Sequence, residues 1–158
     1  MSQDKSFDLI KNIYLFKEMP TESIRLINEI CRIETYQKGD PIFSQGDAAT
    51  AMYFIKYGSV GVYKRTNSGD KIEVAVLGTG SHFGEMSFLD REPRSASAES
   101  MEKSEIGILE YDLLKDLFTK NSQMALDFYR SLAHFLGGRL RITTNDLSFS
   151  REINLKHF

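Results

Sequence analysis

The sequence predicts an α+β fold that is mainly β: an antiparallel β-roll or jelly roll flanked by N-terminal helices and a long C-terminal helix. Three observations predict it. Between about residues 31 and 110, apolar and polar residues alternate in short runs. Turn residues punctuate those runs every 8–12 positions or so, the spacing of sandwiches and barrels. On either side the apolar period lengthens to that of a helix. No composition shift marks a linker or a low-complexity segment, so the chain reads as a single domain, 1–158.

The elements follow in order. Phe7, Ile10, Ile13, Tyr14, Leu15 and Phe16 lie at helical spacing as far as a stop at Pro20. Thr21 is the expected N-cap of a helix from Glu22 to about Ile30, with Ile24, Ile27 and Ile30 as one apolar stripe; the helical region is thus 7–30. From Cys31 the period becomes two. Ile33 and Thr35, Met52 and Phe54, Val60 and Val62, and Ile72, Val74 and Val76 sit at alternating strand positions. The run 37–41, Gly58, and the hairpin signal Asn67-Ser68-Gly69-Asp70 turn the chain between them. Ser95 to Ala98 and Ile106 to Ile108 close a β region of 31–110. From Tyr111, Leu113, Leu114, Leu117 and Phe118 predict a short helix that breaks near Asn121-Ser122. Met124, Phe128, Leu132, Phe135, Leu136, Leu140 and Leu147 predict a long one, so the C-terminal helices span 111–147. The pair Gly137-Gly138 inside it costs on the order of 1 kcal/mol per residue against alanine, and permits either a bend or a close helix approach.

Bulk properties narrow the classes of function. A chain of 158 residues buries a proper core, and a net charge of −2 favours neither nucleic acid nor a membrane surface. Cys31, without a second cysteine to pair with, fits a reducing compartment. No apolar run approaches membrane-spanning length, and Ser2-Gln3-Asp4-Lys5 is a polar start, so the expected location is cytoplasmic. His82, His134 and His157 are scattered without a second ligand at metal spacing, so no metal and no cofactor is expected.

The stretch that carries chemistry is 83–96, Phe83-Gly84-Glu85-Met86-Ser87-Phe88-Leu89-Asp90-Arg91-Glu92-Pro93-Arg94-Ser95-Ala96. Gly84 lets the backbone approach a ligand closely. The apolar run from Met86 to Leu89 is long enough for about one helical turn, whose first N–H groups attract an anion. Arg94 brings a planar fork suited to two phosphate oxygens, and Ser95 adds a hydroxyl and a backbone N–H. Asp90-Arg91-Glu92 reads as a solvated turn. Glu85 would repel a phosphate at contact distance but suits a sugar hydroxyl a few ångströms away. A cyclic nucleotide offers both groups. The glycines of 77–84 also invite a dinucleotide-loop reading, but that loop belongs in a parallel strand–helix–strand unit, and the flanks here are short alternating strands.

The same stretch resembles the phosphate-binding cassette of the cyclic nucleotide-binding domain family, within a wider pattern that includes Gly39, Gly46, Gly58 and Gly78. The resemblance runs from about Leu15 to Leu147. It implies that Glu85 binds the ribose 2′-hydroxyl and that Arg94, Ser95 and Ala96 serve the cyclic phosphate, with Gly84 and Met86 beside them. It also implies a role for Arg139-Leu140-Arg141-Ile142-Thr143-Thr144, which resembles the helix of bacterial catabolite activators. There Thr143 corresponds to the residue that meets the base in its own subunit, and Thr144 to the one that reaches in from the partner. The residues themselves read equally as two β-branched positions at a helix end. Val74, Leu77 and Phe83 are either the apolar wall of the pocket or plain core.

The expectation is a non-enzymatic cyclic nucleotide sensor whose C-terminal helix moves and signals to an effector protein. Family members that prefer cGMP often carry Thr after the cassette arginine, so Ser95 with Thr143-Thr144 implies cAMP. Leu132, Leu136, Leu140, Thr143 and Leu147 lie close to the 3.5-residue period of a seam, predicting a homodimer through that helix. The chain ends about a dozen residues after Thr144, which leaves no room for a helix-turn-helix and makes direct binding of nucleic acid unexpected. The alternative is a structural or protein-interaction module that keeps the fold and uses no nucleotide; an intact Gly84-Glu85 and Arg94-Ser95 argues against it.

Overall fold

The computed structural model describes residues 10–156. Phe7 and His157, which entered the sequence reading, lie outside that range. Ile10 and Lys11 are helical, and residues 12–19 depart from the expected helix. They form successive short turns, with Ile13 N–H donating to Ile10 O and Phe16 N–H to Ile13 O at 3.0 and 2.9 Å. Their apolar side chains are nonetheless core, as the spacing implied: Ile10, Ile13, Leu15 and Phe16 are fully buried.

Helix α1, Thr21–Ile30, follows. Its cap is Pro20, in extended backbone, and Thr21 is the first helical residue and offers no side-chain cap, which corrects the expected N-cap. Proline suits a helix start because its missing N–H would have had no partner there. Ile24 and Ile27 face the core.

Eight strands make two four-stranded antiparallel sheets. They are β1 Arg32–Tyr36, β2 Pro41–Phe43, β3 Ala51–Tyr57, β4 Ser59–Arg65, β5 Lys71–Gly78, β6 His82–Phe83, β7 Ser97–Ser100 and β8 Ser104–Glu110. One sheet runs β1-β8-β3-β6, the other β2-β7-β4-β5. The hairpin predicted at 67–70 joins β4 to β5, with Gly69 at φ +89°. β5 is less buried than its alternation suggests: Ile72, Val74 and Val76 are each about half exposed. The reason is position, since β5 is the outer strand of its sheet and only β4 borders it. The five-residue α2, Met86–Asp90, lies between β6 and β7.

α3, Tyr111–Lys120, and α4, Ser122–Lys156, break at Asn121 as expected. Phe128 of α4 meets the rings of Phe16, Phe88 and Phe118 at 6.1, 5.6 and 5.0 Å, so the α4 start, α3, α2 and the 10–19 segment share one apolar cluster. A smaller cluster between the sheets contains Ile55, Val60, Phe83, Ala98 and Ile106. α4 runs on to Lys156, past the expected boundary at Leu147. It stays helical through Gly137-Gly138, and a Cβ placed on either glycine would meet nothing within 4 Å, so no close helix approach occurs there within the chain. From Gly137 to Lys156 every residue is exposed, including Leu140, Leu147 and Phe149. At about 1.5 Å per residue this half of the helix extends roughly 30 Å beyond the body.

Phe128→Ala should cost about 3–5 kcal/mol of unfolding free energy in urea, as expected for removing a fully buried ring from a packed cluster. Leu126→Ala, on the half-exposed face of the same helix, should stay within about 0.5 kcal/mol of the parent.

Candidate functional site

The site begins at β6. After His82–Phe83 the chain turns at Gly84, whose φ of +81° lies in the region that side chains disfavour. A Cβ there would also stand 2.8 Å from Arg94 Nη1 and 3.2 Å from the Tyr53 ring. Glycine is therefore required twice: for the bend, and for the guanidinium that lies against it.

Arg94 is held from both ends. Its backbone N–H donates to Asp47 O and its carbonyl accepts from Gly46 N–H, at 2.9 and 2.8 Å, so the 44–47 turn fixes where the side chain starts. The side chain is buried. Nη1 donates to Gly84 O and to the Tyr111 hydroxyl, both at 3.2 Å, and Nη2 donates to Ala51 O. The guanidinium also lies over the Phe43 ring at 4.2 Å. Its Nε, buried, has no partner. Among the described residues no carboxylate stands within ion-pair distance of it. Arg94 is thus a buried, hydrogen-bonded cation whose charge no acid among the described residues neutralises.

Tyr111, at the start of α3, ties the arginine to the helices. Burial pushes its hydroxyl above the ordinary tyrosine range, against the opposing pull of Arg94, so it stays protonated and donates to Gly84 O. One hydroxyl thus bridges the guanidinium and the cassette turn.

Glu85 is buried at the N-terminus of α2, with Oε2 3.4 Å from His82 Nδ1. It does not cap α2 with its side chain, so the carboxylate is spent neither on the helix nor on Arg94.

These residues line a cavity of about 190 Å³. Gly84, Glu85, Met86, Arg94, Ser95 and Ala96 all border it, so the two ends of the cassette that the sequence singled out meet at one cavity. Val74, Leu77 and Phe83 border it too. Phe83 is wall and core at once, stacked on Tyr53 at 5.1 Å; Val74 is half exposed. The two threonines stand apart. Thr143 and Thr144 are exposed on α4, do not border the cavity, and donate to Arg139 O and Leu140 O of their own helix at 3.0 and 2.8 Å. The α4 residue at the cavity is Arg139, one turn earlier.

Sequence reasoning missed His82 and Tyr111, and it gave the segment 139–144 to its threonines rather than to Arg139. His82 was weighed only as a metal ligand; its three-residue spacing to Glu85 was the available signal. Arg139 was visible one helical turn before Thr143. Tyr111 sits 17 residues from Arg94 in sequence, and nothing local announces their contact.

Residues 33–121 match the sequence profile of the family described as "Cyclic nucleotide-binding domain". The chain is 37% identical over 97 residues to a cyclic AMP receptor protein of Thermus thermophilus, covering 61% of this chain and 45% of that protein. It is 33% identical over 91 residues to the cAMP-dependent protein kinase type II regulatory subunit of Drosophila melanogaster, covering 57% of this chain and 24% of that one. The chain thus spans less than half the length of these curated relatives. The crystal structure of the Thermus thermophilus catabolite activator protein superposes with a TM-score of 0.75 at 33% identity, over 86% of this chain and 62% of that one. A cyclic nucleotide-binding domain from Methylobacillus flagellatus shares the fold, with a TM-score of 0.79 at 23% identity over 92% and 82% of the two chains.

Gly84→Ala should destabilise the protein by about 1–2 kcal/mol from the left-handed backbone alone. The methyl would also displace Arg94, so any ligand that needs the arginine should bind more weakly still. Thermal melting with and without ligand measures both.

Proposed function

Because the chain belongs to the cyclic nucleotide-binding domain family, we propose that it is a regulatory module that binds a cyclic nucleotide, cAMP in preference to cGMP, and catalyses no reaction. The observation that carries this reading is Arg94, a buried cation with an unpartnered Nε and no carboxylate beside it. A cyclic phosphate supplies the missing negative charge. Ser95 and Ala96, at the edge of the same cavity, are positioned to add a hydroxyl and backbone donors to it.

Glu85 then takes the ribose 2′-hydroxyl. It accepts and does not donate, which a hydroxyl satisfies and a second phosphate oxygen would not. Met86, Val74 and Leu77 supply an apolar surface for the sugar and base. The preference for cAMP rests on Ser95 after the cassette arginine and on likeness to the Thermus cyclic AMP receptor protein. Arg139 is α4's own contribution at the cavity. Thr143 and Thr144 would serve a nucleotide only if α4 shifts, or if a second chain brings them in.

That second chain is the natural occupant of the exposed half of α4. Within those twenty exposed helical residues, the face of Leu140 and Leu147 gains most by burying itself against a copy of the same helix. Nucleotide then acts on α4 to the extent that it binds one helix position better than another. The output passes from α4 to an effector protein. No helix among the described residues is long and apolar enough to cross a membrane, which is consistent with a cytoplasmic module.

Calorimetry with cAMP, cGMP and a cyclic dinucleotide tests the reading. The expected order is cAMP tightest, cGMP weaker and the dinucleotide not bound; a folded protein that binds none of them is an interaction module instead. Glu85→Gln should weaken cAMP by about 10- to 100-fold, the value of a hydrogen bond to a charged group, and weaken 2′-deoxy-cAMP far less. Equal losses would refute the sugar assignment. In sedimentation the full chain should be a dimer and a truncation after Leu140 a monomer; a monomeric full chain, with and without cAMP, would refute the seam.

A further inference from the structure

His82 stands where the cavity wall meets α4, and its two sides face different things. It is buried and borders the cavity. Its Nδ1 lies 3.4 Å from Glu85 Oε2, and since a carboxylate only accepts, the ring carries its proton on that nitrogen. Among the described residues this imidazole is the hydrogen-bond partner of the Glu85 carboxylate. The ring also packs on Phe135 of α4, centroid to centroid at 4.2 Å and tilted by 57°. Phe135 in turn carries the Arg139 guanidinium over its ring at 5.6 Å, and Arg139 is back at the cavity. A chain of contacts therefore runs from Glu85 through His82 and Phe135 to Arg139, and both of its ends border the cavity.

A residue needed only to fill this space would be apolar. A phenylalanine would pack on Phe135 as well and would leave Glu85, a buried carboxylate, without a donor. A polar residue without a ring would serve Glu85 and lose Phe135. Histidine does both. We propose that His82 is a positioning residue: it fixes the Glu85 carboxylate for the ribose hydroxyl and transmits that position to α4 through Phe135. The inference rests on the reading of Glu85 as the ribose acceptor. The bond to Glu85 is long, so filling the cavity has room to tighten it, and the ring would then move relative to Phe135.

Two substitutions separate the two contacts. His82→Phe keeps a ring against Phe135 and removes the donor; His82→Asn places an amide nitrogen near the position of Nδ1 and removes the ring. The first readout is the ratio of cAMP to 2′-deoxy-cAMP affinity, and the second is the change in amide hydrogen exchange across 130–142 on adding cAMP. His82→Phe should lower the affinity ratio about tenfold, the low end for a hydrogen bond to a charged group. His82→Asn should keep the ratio within about threefold of the parent and lose the nucleotide-dependent change in α4. If the parent protein itself does not discriminate against the deoxy ligand, the ribose reading of Glu85 fails and this inference goes with it. If the parent discriminates and His82→Phe does so equally, the ribose reading stands and the inference alone is overturned. An unchanged α4 response in His82→Asn overturns the link through Phe135. Should either variant fail to fold, nitrogen-15 spectra of the parent's histidines decide instead. The His82 ring resonances should shift on binding cAMP and much less on binding 2′-deoxy-cAMP; equal shifts contradict the proposal.

Discussion

A guanidinium costs several kcal/mol to take out of water, and a protein that buries one must surround it with acceptors. Around Arg94 those acceptors are oxygens from distant parts of the chain: Ala51 O at the start of β3, Gly84 O after β6, and the Tyr111 hydroxyl at the start of α3. Two of the requirements fall on backbone that only a particular sequence provides. Gly84 must be glycine for both φ and space, and the 44–47 turn must hold the Arg94 backbone from the other side. The arginine therefore organises the cavity and also joins the sheets to the helices. None of its acceptors is an acid and Nε has no acceptor, so the arrangement holds the guanidinium in place without neutralising its charge.

The second constraint is the division of α4. Its first three turns belong to the body, through Met124, Phe128 and Leu132, and its second half is exposed among the described residues. Phe135 and Arg139 sit at the boundary, and both are in contact with the cavity or with a residue that lines it. A change at the cavity thus meets the helix where its support ends. Under the proposed function, a rotation there would displace the far end of the roughly 30 Å of helix that follows.

Much of this was legible in the sequence because the determinants are local. The period change at Cys31 and again at Tyr111 marked the β region, and the glycine–acid and arginine–hydroxyl pairs of 83–96 marked the cavity before any fold was drawn. The failures share a cause. Residues 12–19 have helical spacing yet form turns, since burying Ile13, Leu15 and Phe16 does not require helical backbone. Val74 and Val76 alternate like buried positions, but alternation does not reveal that β5 is an outer strand. Thr143 and Thr144 follow the activator pattern, and the pattern does not say where α4 stands relative to the cavity in a single chain. Tyr111 meets Arg94 across 17 residues, a contact that only the fold brings about, whereas His82 had one local signal, its three-residue spacing to Glu85.

The central claim is that Arg94 is buried to meet an anionic ligand. Thermal or chemical unfolding of parent and Arg94→Met, each with and without cAMP, tests it most directly. At a cAMP concentration 100 times the parent's dissociation constant, the parent should gain about 2.7 kcal/mol of stability. Arg94→Met, if folded, should gain almost nothing, since losing the cation costs about 2–5 kcal/mol of binding. An equal gain in the two proteins would contradict the account.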